Sequence, residues 1–209
     1  MVHTLTKIQN SLETGKIYTF KFRASNSVGF SAFSKFTRIG LGKQSLAPLN
    51  LGSDIEQNGP TYVQLNWSEV VDIDLPTLGY SVEFLDDDDI WKEVFDASSN
   101  PDAISTIING LTTAKLYQFR AYSVNFNGKS QASSIFSIYA CGLPRKFGAP
   151  VYLSSTKTSI TISWTSVAED GGCPVFDFKV ERDLDGTGSG PWTEVNPVSS
   201  YPRFDTSVT

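Results

Sequence analysis

The sequence predicts an all-β protein, and three observations support this prediction. The composition favours strands, with 14 Phe, 8 Tyr and 4 Trp but a single Met among 209 residues. Apolar and polar side chains alternate with a period of two, as in Ile160, Ile162 and Trp164 against Thr161 and Ser163. Turn-forming pairs recur every 8–12 residues or so, a spacing typical of sandwiches. Strands with one apolar and one polar face indicate antiparallel sheets packed on one another.

The charge and residue counts exclude several functional classes. The chain has 17 Lys and Arg against 22 Asp and Glu, a net charge of −5, which excludes an electrostatic binder of nucleic acid. No apolar run reaches the roughly 18 residues of a membrane span. One His and two Cys leave little material for a catalytic triad or a zinc site. We therefore expect a non-enzymatic protein without cofactor or metal.

The chain repeats itself with a period of roughly 100 residues. The segment Gly15–Asn26 is similar to Ala114–Asn125, and in both copies a leucine, Leu12 or Leu111, lies six positions before a tyrosine. A second block, residues 63–67, is similar to residues 160–164. Ala-Pro pairs at 47–48 and 149–150 provide a third marker. The sequence therefore contains a duplicated unit.

These markers resemble the fibronectin type III family, in particular its titin-like and ciliate-like tandem variants. Trp67 and Trp164 match the family's buried strand-B tryptophan. Tyr18 and Tyr117 match its tyrosine corner, in which the phenol bonds to backbone near the preceding leucine, here Leu12 or Leu111. The resemblance implies tandem immunoglobulin-like, seven-stranded β-sandwiches, with these six residues in the cores.

Alignment to this pattern divides the chain into three segments. Residues 46–148 hold one complete module. Residues 1–45, the first segment, carry strands E to G of a module, and residues 149–209, the last segment, carry strands A to C′. Either the chain is a window of a longer array, or one copy completes the next head to tail, because a half-sandwich would leave its aromatic face in water.

The two cysteines are the most informative pair. Cys141 lies where the complete module hands over to the last segment, and Cys173 lies in the B–C loop of that segment. The repeat places Leu41 and Leu75 at the corresponding positions of the preceding junction, which predicts inter-module contacts there. The resemblance brings these positions to one pole of the fold, so we hypothesise a disulfide that stiffens a rod in an oxidising compartment. Two unrelated thiols are the alternative.

Other motifs carry weaker predictions. Asn66-Trp67-Ser68 is a glycosylation sequon whose asparagine would point outward and could hold a glycan in a secreted protein, although an ordinary exposed asparagine explains it as well. The acidic run Asp86–Asp89 and the loop Asp183–Gly188 faintly resemble calcium ligands, but solvated hairpin tips explain them better. His3 has no partner that the sequence supplies.

The sequence therefore favours a structural or adhesive rod or filament, located outside the cell or at its surface. Its expected partners are other copies of itself, adjacent modules and other proteins, together with attached glycans, but neither nucleic acid nor a membrane. The alternatives are an intracellular cytoskeletal or ciliary scaffold, and a spacer in a larger extracellular enzyme. Reduced cysteines without sugar would favour the scaffold.

Overall fold

The computed structural model describes residues 3–72 and 74–195, together with the backbone of residues 207–208. It is almost entirely β, with one short α-helix and one 3-10 helix. In chain order the elements are α1 (Lys7–Asn10), β1 (Ile17–Phe20), β2 (Thr37–Gly40), η1 (Ile55–Gln57), β3 (Tyr62–Asn66), β4 (Gly79–Leu85), β5 (Trp91–Ala97), β6 (Ser105–Asn109), β7 (Leu116–Asn125), β8 (Gly128–Lys129), β9 (Phe136–Tyr139), β10 (Val151–Ser155), β11 (Ile160–Ser163), β12 (Glu181–Asp183), β13 (Trp192–Glu194) and β14 (Ser207–Val208).

The central segment forms a sandwich of two antiparallel sheets. One sheet pairs β3 with β6, and a bridge between Gly52 and Asn66 adds the start of the segment to its edge. The other sheet has the order β5-β4-β7-β8, with β9 pairing the first half of β7. The all-β prediction is therefore confirmed.

The core lies between these two sheets because alternate residues of each strand point inward. Along β3, Val63 and Leu65 are fully buried, and Trp67 follows with only 4% of its surface exposed. Along β7 the inward side chains of Tyr117 and Phe119 are buried in the same way. The period-two pattern of the sequence thus becomes one apolar interior.

The first segment contains a two-stranded sheet, β1 with β2, in which Tyr18 lies opposite Ile39. Residues 7–10, which the repeat aligns with β6 of the centre, form the helix α1 rather than a strand. The side chain of Thr6 accepts a bond from the Gln9 amide and caps this helix. In the centre β6 is paired by β3, and a strand needs such a partner to satisfy its backbone groups.

The last segment contains two small sheets, β10-β11-β14 and β12-β13. The sequence placed only strands A to C′ here, but β14 also pairs β11, with Ile162 opposite Val208, as β6 pairs β3 in the centre. Residues 196–206 and 209 of this segment lie outside the described residues. Among the helices that the structure does describe, none is long and apolar enough to cross a membrane.

Candidate functional site

The junction between the first and central segments is held by the side chain of Asn127. Its Oδ1 accepts a hydrogen bond from the Gly40 amide at 3.0 Å, and its Nδ2 donates to the carbonyls of Gly40 and Gly42, both at 2.9 Å. The Asn127 amide in turn donates to Oδ1 of Asn125 at 2.9 Å, which fixes the turn after β7. A single side chain therefore satisfies three backbone groups of the connecting chain.

Two residues of β7 also bind the connecting chain. Nδ2 of Asn125 donates to the carbonyl of Lys43 at 2.9 Å, and Oγ of Ser123 donates to the carbonyl of Leu46 at 2.6 Å. Both side chains are buried, where an unpaired polar group would be costly. Residues 40–46 thus lie along the central sandwich in a fixed path.

Leu75 packs into the same junction and is only 1% exposed. A Cβ at Gly40 would lie 2.8 Å from Cδ1 of Leu75, and a Cβ at Gly42 would lie 2.7 Å from its Cγ. Glycine is therefore needed at both positions for the leucine to fit. Leu41, between them, lines a groove with Leu12 and other residues of the first segment.

The junction between the central and last segments is covalent. Cys141 and Cys173 form a disulfide with their Cα atoms 5.8 Å apart. Beside it the Gly142 amide donates to the carbonyl of Gly171 at 2.8 Å, and Gly171 has a φ of +73°. A Cβ there would lie 2.0 Å from the Gly142 oxygen, so this close approach requires glycine.

A short antiparallel bridge continues this second junction. The Arg145 amide donates to the Glu169 carbonyl at 2.7 Å, and the Glu169 amide donates back at 3.2 Å. The structure thus brings together the two cysteines that the sequence paired. At the first junction it places Leu75 against Gly40 and Gly42, on either side of Leu41.

The tyrosines singled out by the sequence accept bonds near the preceding leucines. The Tyr18 hydroxyl accepts from the Glu13 amide at 2.7 Å, and the Tyr117 hydroxyl accepts from the Thr112 amide at 2.9 Å. Leu111 packs against the central core.

The two tryptophans have similar neighbours but different burial. The Trp67 ring lies 5.7 Å from that of Tyr80 inside the central core. Trp164 lies 5.9 Å from Phe178 and is only half-buried, because fewer elements cover the last segment.

The outer face of the central sandwich carries a charged cluster that the sequence reading missed. Glu83 on β4 lies opposite Arg120 on β7, and its Oε2 accepts from Nη2 and Nε of that arginine at 2.7 and 2.9 Å. The Tyr122 hydroxyl donates to the same oxygen at 3.0 Å. Lys129 bonds Glu93 of β5 at 2.6 Å, and the Arg120 guanidinium lies 4.1 Å above the Trp91 ring. The sequence signal for this cluster is one charged residue in each strand, Glu83 in β4 and Arg120 in β7.

The acidic run after β4 is a hairpin tip held by its own hydrogen bonds. Oδ1 of Asp86 accepts from the amides of Asp88 and Ile90 at 3.0 and 2.8 Å. Asp86 also pairs with Lys92, which together with these amides holds the pKa of its carboxyl below the ordinary value. Asp87 pairs with Lys115. Each of the two carboxylates thus has a cationic partner.

The remaining predicted residues are scattered. Asn66, the sequon asparagine, is half-buried on β3, where its backbone pairs with Gly52. His3 is exposed in the first segment. In the described part of the chain, no group of three or more His, Cys, Asp or Glu is arranged to hold a metal ion.

Comparison with known proteins agrees with this architecture. The family model of the fibronectin type III domain matches residues 47–139. Protein sidekick-1 of Gallus gallus is 34% identical over 101 residues, 48% of this chain and 5% of that protein. Myomesin-2 of Homo sapiens is 26% identical over 212 residues, 94% of this chain and 14% of that protein. The chain thus spans only a small part of these relatives' length.

A solved structure is similar along most of the chain. The FN1–FN3 domains of chicken CNTN1 are 18% identical, with a TM-score of 0.49, over 94% of this chain and 66% of that one.

Proposed function

Because residues 47–139 are a fibronectin type III domain, we propose that the chain is a non-enzymatic structural or adhesive element, a rod in which successive modules are held at fixed angles. The first and last segments are then parts of neighbouring modules. In such arrays stability comes from each core and from the interface with the next unit. The functional surfaces are therefore the junctions and the outer sheet faces rather than a catalytic pocket.

The observation that carries this proposal is the construction of the two junctions. Asn127 and Leu75 fix the first, and the Cys141–Cys173 disulfide fixes the second. A flexible linker would leave the backbone of residues 40–42 to water, whereas here Asn127 bonds it at three points. A chain built this way transmits orientation from one module to the next.

The disulfide supports a location outside the cell or at its surface, since structural disulfides persist in oxidising compartments. The sequon at Asn66 would be available for a glycan there. Partners would be adjacent modules, other copies of the chain and further proteins.

The test of the rod is nuclear magnetic resonance relaxation on the dilute, monomeric chain. We expect the amides of β1 and β2 to report the same rotational correlation time as those of β4 and β7. Asn127 and Leu75 hold the first junction, so the double replacement Asn127→Ala with Leu75→Ala should shorten the correlation time of the first segment alone. The matched control Asn109→Ala, at an exposed asparagine, should change neither value. Independent tumbling of the segments in the unmodified chain would contradict the proposal.

The location has its own test. Peptide mapping without reductant on protein from its native source should yield residues 141 and 173 in one cross-linked fragment. Two free thiols and an unmodified Asn66 would instead support the intracellular scaffold.

A further inference from the structure

Three asparagines of the chain are each followed directly by glycine: Asn58, Asn109 and Asn127. An asparagine can lose its side-chain amide when the backbone nitrogen of the next residue attacks its Cγ atom. Glycine hinders this attack least, because it carries no Cβ. The three pairs therefore share one intrinsic chemistry, and the surrounding structure determines how fast each of them reacts.

The reaction at Asn127 needs only the chain itself and water. A bond forms between the Gly128 nitrogen and Cγ of Asn127, and the bond between Cγ and Nδ2 breaks. Ammonia leaves with the proton of the Gly128 amide, and a five-membered succinimide ring remains. Water then opens the ring at one of its two carbonyl carbons, which yields aspartate or isoaspartate. No electron is transferred.

Asn109 is the least restrained of the three asparagines. It is exposed at the end of β6. Its Nδ2 donates to the carbonyl of Ile107 over 3.5 Å, which is longer than an ordinary hydrogen bond of this type. We therefore expect its side chain to react at close to the intrinsic rate.

Asn58 lies at the other extreme, because it is only 6% exposed. Its Oδ1 accepts from the Gln64 amide and its Nδ2 donates to Oγ of Ser53, both at 2.8 Å. The Gly59 amide, whose nitrogen would attack, donates to the carbonyl of Tyr62 at 3.1 Å. Asn58 is therefore free to react only when the central sandwich itself opens.

Asn127 differs from both because another segment of the chain restrains it. Three hydrogen bonds tie its side chain to the backbone of Gly40 and Gly42. Loss of Nδ2 would break two of these bonds, so the closed junction opposes the reaction. Opening of the junction removes this obstacle, and it requires less than the unfolding of the central sandwich.

The product could not restore the junction. Nδ2 of Asn127 donates to the carbonyls of Gly40 and Gly42, both at 2.9 Å. In aspartate or isoaspartate an oxygen replaces this nitrogen, and an ionised carboxylate accepts hydrogen bonds but donates none. The two carbonyls would lose their donor and face a negative charge, which is costly for partly buried groups.

We propose that Asn127-Gly128 is a deamidation site controlled by the first junction. Opening of the junction frees Asn127 to react with the Gly128 nitrogen and then with water, and the carboxylate that forms keeps the junction open. A reversible opening thereby becomes permanent, and the modified fraction grows with the time that the junction spends open. This inference rests on the proposed function, because it gives a junction of the rod a limited lifetime.

Peptide mapping by mass spectrometry, during warm incubation of the full chain at mildly alkaline pH, measures the three sites side by side. We expect Asn109 to react first, Asn127 more slowly by about tenfold or more because the open junction is a minor state, and Asn58 last. Leu75→Ala should accelerate Asn127 by about tenfold or more, since loss of a buried leucine side chain commonly costs more than the ~1.4 kcal/mol that corresponds to tenfold. The rates at Asn58 and Asn109 should not change. Leu184→Ala, at a leucine that is 70% exposed, is the control and should alter none of the rates.

A second measurement tests the effect of the product. Asn127→Asp should shorten the rotational correlation time of the amides of β1 and β2, as the open junction requires. Asn109→Asp makes the same charge change at an exposed position and should leave this correlation time as it is.

Three results would overturn the inference. They are deamidation of Asn127 as fast as that of Asn109, a rate at Asn127 that Leu75→Ala leaves unchanged, and an Asn127→Asp variant that tumbles like the unmodified chain. An acceleration that Asn58 shares would report opening of the whole sandwich and would also contradict control by the junction. The rod is judged separately, by whether the unmodified chain tumbles as one body.

Discussion

At the scale of single residues, the side chain of Asn127 connects the first segment to the central sandwich, as the Cys141–Cys173 disulfide connects the last segment to it. Asn127 belongs to an Asn-Gly pair after β7, and its side-chain amide bonds three backbone groups that lie 85 or 87 positions earlier in the chain. The relevant partners are carbonyls and an amide, which every residue carries. A sequence pattern therefore gives no sign of this contact.

The buried phenol of Tyr80 should make stability fall at alkaline pH. Burial raises the pKa of Tyr80 above its ordinary value, although the bond that its oxygen accepts from the Val70 amide partly opposes this. A raised folded-state pKa gives stability that is complete below about pH 10 and is lost as pH rises through the folded value. The free energy of unfolding, measured by urea titration across this range, should show the decline.

Tyr80→Phe should flatten this alkaline decline and cost about 1 kcal/mol at neutral pH, because the Val70 amide loses its acceptor. Tyr122, whose pKa is also raised by burial, keeps part of the dependence. Tyr139→Phe, at an exposed tyrosine, is the control and should leave the profile in place. An unchanged alkaline slope in Tyr80→Phe would contradict the assignment.

The carboxylate of Asp86 should contribute stability with the opposite dependence on pH. Lys92 and two backbone amides lower the pKa of this carboxyl. A lowered folded-state pKa gives stability that is present above about pH 4 and is lost as pH falls through the folded value. Asp86→Asn should therefore make the acid limb of the stability curve shallower, while Asp89→Asn, at the exposed tip, should not. Thermal unfolding between neutral and acidic pH measures the difference.

At the scale of the strand, apolar residues in the same alternating pattern contribute differently to the free energy of unfolding in the centre and in the last segment. β3 and β11 share their alternation, but Leu65 is fully buried whereas Ile160 is 66% exposed. Leu65→Ala should lower the free energy of unfolding by 2–5 kcal/mol or so, because it leaves a cavity. Ile160→Ala should change it by less than about 0.5 kcal/mol. Chemical denaturation followed by Trp fluorescence compares them, and equal effects would contradict the burial.

The strand pattern also shows how far sequence alone reaches. Period-two alternation predicted the all-β fold, because a half-buried sheet requires that alternation. The resemblance to the fibronectin type III pattern predicted Trp67 in a core, and this residue is only 4% exposed. Residues 7–10, which the repeat aligns with β6 of the centre, form α1 instead of a strand. A strand depends on a partner that may lie anywhere in the chain, so local pattern decides it only when that partner is present.

At the scale of the whole molecule, the disulfide should dominate the stability of the last segment. It closes a loop across 32 positions, which in the chain-entropy account stabilises by about 3–4 kcal/mol. Cys141→Ser with Cys173→Ser should therefore lower the unfolding temperature of the last segment and leave that of the central sandwich nearly unchanged. Calorimetry with and without reductant makes the same comparison. A loss confined to the central transition would contradict it.

The sequence predicted the contact between the two cysteines but not the charged cluster on the outer face of the central sandwich. The repeat aligns Cys141 with Leu41 and Cys173 with Leu75. The resemblance then implied that Cys141 lies near Cys173, and Leu41 near Leu75. Predicting the pair Glu83 and Arg120 requires the register of β4 against β7, which the sequence alone does not reveal. Register becomes visible only when the strands are seen side by side.

The closed loop between Cys141 and Cys173 also determines how the chain would respond to being pulled. Tension applied across this junction would pass through the sulfur atoms and bypass β10 and β11, both of which lie inside the loop. Even after these strands separate, the enclosed chain, whose extended length is roughly 100 Å, adds nothing to the reach of the molecule. Hydrogen bonds and packing hold the first junction without a covalent link, so we expect it to open at a lower load than the second. The two ends of the central sandwich therefore have different compliance.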